Sequence, residues 1–332
     1  MKKGYVPKDQ RKKVLLLSDD IRTHSGVGTM AKEIVLNTAH RFNWVNVGGA
    51  IKHPEVGKAF DLSNEINKLT GLDDTSVKVI PSDGYGDPNL MRNIIAQEKP
   101  DAIVHFTDPR YWIWLYQMEN EIRQKIPMVF YTIWDDIPYP FYNRDFYRSD
   151  DMLLCISKQT ENIVKNVLRD HSKEEWAVKY VPHGIDENKF FPIANDFEFE
   201  AFKEKILGKE EQEFVVLWNS RNIRRKNASD LILAWRTFLD ALPEEKAKKC
   251  TLVMHTDPVD QNGTDLPRVI ENLCDPEKHK VVFTGQKFDE KHMNYMYNIS
   301  DAHMFMTDNE GWGLGLTESL TAGRMIIAPV QG

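Results

Sequence analysis

Phe214-Val215-Val216-Leu217-Trp218-Asn219-Ser220-Arg221-Asn222-Ile223-Arg224-Arg225-Lys226-Asn227 is the stretch on which the fold turns. Its first five residues form an apolar run without polar alternation, which reads as a strand buried on both faces of a parallel sheet. A polar loop follows. Then Leu231, Trp235, Phe238 and Leu242 recur at i, i+4, i+7 and i+11, along one face of a helix. Strand, loop and helix in that order make the opening unit of a doubly wound α/β domain. It begins in mid-chain, which leaves room for another such domain before it.

Short apolar runs alternate with helix-period segments on both sides of this unit. Upstream, strands are expected at Val14–Ser18, Trp44–Val47, Val77–Ile80, Ala102–Phe106, Met128–Ile133, Met152–Ile156 and Lys179–Val181. Downstream they are expected at Thr251–His255, Lys280–Phe283, His303–Met306 and Met325–Ala328. Met30, Ile34 and Phe42 are read as one face of the first helix. Residues 186–213 are dense in charge and hold no strand pattern. The expected organisation is therefore an N-terminal Rossmann-like domain over 1–190, a linker over 191–211 and a C-terminal Rossmann-like domain over 212–332, with a cleft between the domains. The chain stops after a strand and a glycine turn with no helix to cover them, so the second domain reads as truncated at its end or unusually small.

Composition narrows the function classes. The 332 residues are 41% hydrophobic and 28% charged, enough for a core and a solvated surface, with a net charge of −7. An acidic chain does not suit general nucleic-acid or anionic-membrane binding. Cys155, Cys250 and Cys274 are odd in number and far apart, which gives neither a disulfide framework nor a metal-ligand spacing. No apolar run approaches the ~18 residues of a membrane span, and the basic N-terminus leads only into VLLL, too short for a signal peptide. The expected setting is cytoplasmic.

Three segments carry chemistry. Asp308-Asn309-Glu310-Gly311-Trp312-Gly313-Leu314-Gly315-Leu316-Thr317-Glu318 follows a strand and enters a helix. Glycines at alternate positions bring backbone amides close to a ligand, and the helix start favours phosphate. Glu310 and Glu318 bracket the loop eight residues apart; as acceptors they suit vicinal hydroxyls of a sugar or ribose. Arg221, Arg224, Arg225 and Lys226 put four cations at the carboxyl end of a buried strand, where α/β folds bind ligands and where arginine and lysine can hold a diphosphate. Arg224 and Arg225 are read as a solvated basic turn. Gly26-Val27-Gly28-Thr29-Met30-Ala31 matches G-x-G-x-x-A, but seven residues separate it from Ser18 and no acid follows the second strand, so dinucleotide binding is disfavoured.

At these residues the chain resembles the retaining GT-B glycosyltransferases of the E-x7-E type, the group 1 or family 4-like enzymes. Arg221 with Lys226 and Glu310-x7-Glu318 match that family's donor-site pattern. Tyr180-Val181-Pro182-His183-Gly184-Ile185-Asp186, followed by Phe191-Pro192, is similar to its interdomain segment, and Ser25–Gly28 to its N-terminal glycine loop. The resemblance implies a GT-B fold and a retaining, metal-independent transfer from a nucleotide-diphosphosugar to an acceptor hydroxyl, without a separate cofactor. It implies that Arg221 and Lys226 hold the donor diphosphate, that Glu310 meets the sugar and Glu318 the ribose. Amides of Gly313, Leu314, Gly315 and Leu316 would face the phosphates, with Gly28 approaching from the other domain. His183 and Asp186 are read as hinge and turn residues.

One departure stands out. Where the family often has a histidine after an N-domain strand, this chain has Trp134, followed by Asp135 and Asp136, which are candidates for the acceptor side. His105 is read as structural or cleft-lining. Tyr111, Trp112, Trp114, Tyr139 and Phe141 suit a core and an acceptor platform equally well. Donor base, sugar, acceptor and oligomeric state are not legible. The competing readings are a nucleotide-sugar epimerase on the same scaffold, and a non-catalytic nucleotide-sugar-binding subunit.

Overall fold

The computed structural model of the protein describes residues 3–49, 56, 58–171, 173–194 and 197–329. The chain divides into two compact units, Met1–His183 and Gly184–Gly332. In the first, eight strands form one sheet: β1 Lys12–Asp19, β2 Phe42–Gly49, β3 Phe60–Asp61, β4 Val77–Pro81, β5 Ala102–Phe106, β6 Met128–Thr132, β7 Met152–Cys155 and β8 Val178–Tyr180. Their order is β3-β4-β2-β1-β5-β6-β7-β8. The second unit holds β9 Phe214–Asn219, β10 Cys250–His255, β11 Val281–Phe283, β12 Ala302–Met304 and β13 Met325–Ile327, in the order β11-β10-β9-β12-β13. All pairings are parallel except that of β3 with β4. Every expected strand is present within a residue or two. The edge strand β3 was not expected, because two residues carry no periodicity.

The unbroken apolar run of β9 has the meaning read from it. Val215 and Leu217 pack into one core with Phe199, Phe202, Val253 and Tyr295. Val216 and Trp218 pack into another with Leu231, Trp235, Leu252 and Met254. Both sheet faces are covered, as continuous apolar strands require. In the helix Ala228–Asp240, Leu231 and Trp235 are buried while Phe238 is 41% exposed.

Two expectations are corrected. Phe42 is not on the first helix: that helix ends at Thr38, and Phe42 opens β2. Residues 191–211 were expected as a linker, yet Phe197–Leu207 is a helix whose Phe199, Phe202 and Leu207 are buried in the second unit. The charge of this segment lies on the helix's other face and masked the apolar positions. The same reading set the end of the first domain at residue 190, and the division of the chain falls earlier, after His183. Phe190 is buried in the second core, and the chain beyond it is stitched to the helix Glu290–Asn298. There the Phe191 amide donates to Asn294 Oδ1 at 3.1 Å and the Ile193 amide to Asn298 Oδ1 at 2.8 Å. His183 stays with the first unit, its Nδ1 2.9 Å from Tyr131 Oη. Asp186 is a turn former that accepts the Asn188 amide at 2.9 Å.

Each unit buries a neutral histidine. His105 lies between Tyr116 Oη at 2.8 Å and Thr107 Oγ1 at 3.1 Å, stacked on Phe130, and desolvation lowers its pKa to about 3. Burial likewise lowers His303 to about 4. Below the ordinary pKa of about 6.5 the unfolded chain takes up these protons and the folded chain does not, so stability falls as pH falls. Each histidine is expected to cost about 1.4 kcal/mol per pH unit from about pH 6.5 downward. Asp19, Glu318 and above all fully buried Asp150, raised by burial, pull the other way. Urea unfolding of the wild type and of His105→Gln from pH 7 to pH 5 checks this, and the same slope in both contradicts neutral burial of His105.

Candidate functional site

The site is built where the order of the second sheet reverses. From β9 the chain crosses outward to β10 and β11, then returns to β12 on the other side of β9. The loops leaving adjacent β9 and β12 therefore come off the carboxyl ends of the strands at the reversal, the usual ligand position in such sheets. The loop after β9 carries Ser220–Asn227, and that after β12 carries Phe305–Gly313.

These loops are joined by charge. Lys226 is buried and forms an ion pair with Glu310, its ammonium also lying 5.0 Å from the Phe305 ring centre. Arg225 Nη1 donates to the Asn309 carbonyl at 2.7 Å and lies 3.5 Å from Glu310 Oε2. The Arg225 carbonyl accepts the Asp308 amide at 2.9 Å. Asn227, at φ +48°, donates from Nδ2 to Asp308 Oδ1 at 2.8 Å. Lys226 and Glu310, predicted independently from two segments, are brought into direct contact.

Arg221 is placed differently. Its guanidinium is 64% exposed and pairs with Asp260, in the loop after β10, with Nε to Oδ2 at 2.9 Å. That pairing holds the Asp260 carboxyl below its ordinary pKa. The two loops are locked together by buried Asn222, whose Nδ2 donates to the Thr264 carbonyl at 2.6 Å. Gly263 is required there, since a Cβ would lie 2.1 Å from the Asn222 carbonyl oxygen. Arg221 is thus held at the same sheet end by Asp260 rather than by the Lys226–Glu310 pair.

Glu318 sits in the helix Leu314–Thr321. It accepts a hydrogen bond of 2.5 Å from Tyr297 Oη, which in turn accepts from Asn219 Nδ2 at 2.9 Å. Tyr297 is fully buried, and desolvation raises the pKa of both the tyrosine and Glu318. Gly313, at φ +79°, turns the chain into this helix in a conformation that suits glycine. The Leu316 and Thr317 amides close onto the Gly313 carbonyl, at 3.0 and 3.1 Å, so the Leu316 amide, expected to face phosphates, is instead bonded within the turn. Gly315 lies beside Asn219, His303 and Tyr297. Asn219, Tyr297 and Arg225 were missed from sequence, although Asn219 ends β9, a position that could have flagged it.

In the first unit the glycine loop owes its glycine to packing. Ser25 caps the helix Gly26–Thr38 by accepting the Gly28 amide at 2.9 Å and donates to Asp19 Oδ2 at 2.6 Å. A Cβ on Gly28 would come within 2.7 Å of the Thr23 carbonyl oxygen and 2.9 Å of that of Asp20. This sheet also reverses, between β1 and β5. There Asp19 is held by Ser25 and by Tyr85, whose ring stacks on that of Tyr111 at 5.1 Å. Asp135 and Asp136 follow β6; the Asp136 carbonyl accepts the Trp134 indole N–H at 3.0 Å, and Arg110 lies over the Trp134 ring. Trp112 is fully buried, whereas Tyr111, Tyr139 and Phe141 are exposed. His105 is structural. Among the described residues no group of three or more His, Cys, Asp or Glu is placed to hold a metal ion, and no helix is long and apolar enough to cross a membrane.

The fold is that of known glycosyltransferase structures. A sucrose-phosphate synthase from Thermosynechococcus elongatus aligns over 97% of this chain and 82% of its own, at 15% identity and TM-score 0.68. A glycosyltransferase from Rickettsia africae aligns over 97% and 80%, at 16% identity and TM-score 0.66. A structure described as trehalose-6-phosphate from E. coli bound with UDP-2-fluoro glucose aligns over 94% and 82%, at 12% identity and TM-score 0.65. No family model and no curated protein sequence matches the chain. The architecture expected from sequence, GT-B with two parallel-sheet α/β domains, is thus the architecture found.

Proposed function

We propose that the protein is a glycosyltransferase that moves a sugar from a nucleotide-diphosphosugar to an acceptor hydroxyl, with retention of configuration and without a metal ion. The observation that carries this reading is the meeting of Lys226 and Glu310 at the β9–β12 reversal. A cation for the leaving diphosphate and an acceptor for sugar hydroxyls stand side by side. Glu318, one helical turn beyond Gly315, is the candidate partner of the ribose in this reading, and the amides of Gly313, Leu314 and Gly315 are the candidates for the phosphates. The fold likeness to a structure bound with UDP-2-fluoro glucose supports the same donor class.

In the reaction the sugar C1–O bond to the diphosphate breaks and the acceptor oxygen bonds to C1 on the same face. The acceptor's proton passes to the departing diphosphate, which leaves as the free nucleotide. Negative charge grows on that leaving oxygen, and the cations of Lys226 and Arg221 stabilise it more in the transition state than in the donor. The acceptor belongs to the first unit in this reading, with Asp135 and Asp136 as candidate contacts and the cytoplasm as the setting. Incubation with UDP-, GDP- and ADP-sugars in chelator tests it. Slow release of one nucleoside diphosphate is expected. Tight binding without release marks a non-catalytic subunit, and a strict need for Mg²⁺ or Mn²⁺ contradicts the metal-free arrangement.

A further inference from the structure

Arg225 was read from the sequence as solvated, yet in the structure it grips three consecutive residues of the loop after β12. Its carbonyl takes the Asp308 amide, its Nη1 donates to the Asn309 carbonyl at 2.7 Å, and the same nitrogen lies 3.5 Å from Glu310 Oε2. Lys226 reaches that same Glu310 oxygen. The two cations hold the carboxylate in different ways. Lysine is a compact charge with freely turning donors, which a diphosphate would draw toward itself. The Asn309 carbonyl is neutral, so Arg225 keeps this acceptor whatever Lys226 faces.

We propose that Arg225 is a positioning residue that keeps Glu310 in place when Lys226 turns from Glu310 to the phosphates of the donor. The inference rests on the functional reading above. Without Arg225, a Glu310 released by Lys226 would have no cation on its own loop's path, and repulsion from the diphosphate would push it away from the sugar. The guanidinium suits this task, because its Nη1 carries two hydrogens and can serve a carbonyl and a carboxylate together. Asn227 holds Asp308 independently, and Arg225 is 42% exposed, so loss of the side chain leaves the fold of the loop supported.

The experiment compares Arg225→Ala, Arg225→Lys, Glu310→Gln and the double variant Arg225→Ala/Glu310→Gln. Turnover is read as donor hydrolysis with the nucleotide sugar that the wild type cleaves, and affinity as calorimetry with the free nucleoside diphosphate. Arg225→Ala is expected to lower kcat by about 10-fold while diphosphate affinity stays within about two-fold, with partial recovery in Arg225→Lys. In the Glu310→Gln background the same change is expected to cost less than about two-fold, since the two residues act as one unit. Full additivity overturns the proposal. So does unchanged kcat, or a parallel fall in diphosphate affinity, which would make Arg225 a direct phosphate ligand. If the wild type binds none of UDP, GDP or ADP, the functional reading itself falls, and this inference with it.

Discussion

Lys226→Ala is expected to lower donor turnover by about 10- to 100-fold and to weaken free nucleoside diphosphate by a similar factor. Two effects add. The variant removes a buried cation from the position proposed for the phosphates, and it leaves Glu310 beside that position with Arg225, at 3.5 Å, to offset its charge. An anion held next to an uncompensated carboxylate is repelled where it was formerly attracted. Arg221→Ala removes a guanidinium that is largely exposed and already paired with Asp260, so its loss belongs at the low end of the same range. Thermal unfolding separates either effect from misfolding, because breaking the Lys226–Glu310 pair costs about 1–3 kcal/mol of stability rather than the whole fold. Calorimetry with the preferred diphosphate, together with donor turnover, checks the pair of variants. Wild-type affinity and turnover in Lys226→Ala would reduce the basic cluster to a surface turn.

The parts of this arrangement legible in sequence are those set by local pattern. Buried parallel strands announce themselves as unbroken apolar runs, and both faces of β9 are indeed covered. Glycine and charge at strand ends mark loops, which singled out Lys226, Glu310 and Glu318. What sequence could not show is pairing across loops. Arg225 and Lys226 are neighbours of one charge type, and only the register of β12 beside β9 decides that both reach Glu310. Tyr297 lies on a helix whose apolar residues read as core, and its hydroxyl becomes important only because Glu318 ends 2.5 Å away. Gly28 illustrates the converse. Its motif suggested approach to a ligand, whereas the backbone carbonyls of Asp20 and Thr23 already demand glycine there.

Glu310→Gln and Glu318→Ala are expected to fail in different ways. Glu310 faces the charge site and lies before the glycine turn, where the sugar would sit, so the amide should damage transfer. It should leave free diphosphate unchanged or bound more tightly, because Lys226 loses the carboxylate that now neutralises it. Glu318 lies on the helix beyond the turn, where the ribose would reach, so Glu318→Ala should weaken the free diphosphate and the intact donor alike. Hydrogen bonds from hydroxyls to ionised carboxylates contribute about 1.5–3 kcal/mol each, so the affected cells should change by about 10- to 100-fold. Glu318→Ala also strips the acceptor from the buried Tyr297 hydroxyl, which by itself costs stability. Glu318→Gln keeps an acceptor oxygen for that hydroxyl and removes only the charge, so it distinguishes ribose binding from support of the core. Both ligands measured against these variants give a pattern of losses rather than a single number. If Glu310→Gln weakens the free diphosphate as much as Glu318→Ala does, Glu310 holds the nucleotide and not the sugar, and the division of roles between the two glutamates fails while the fold stands.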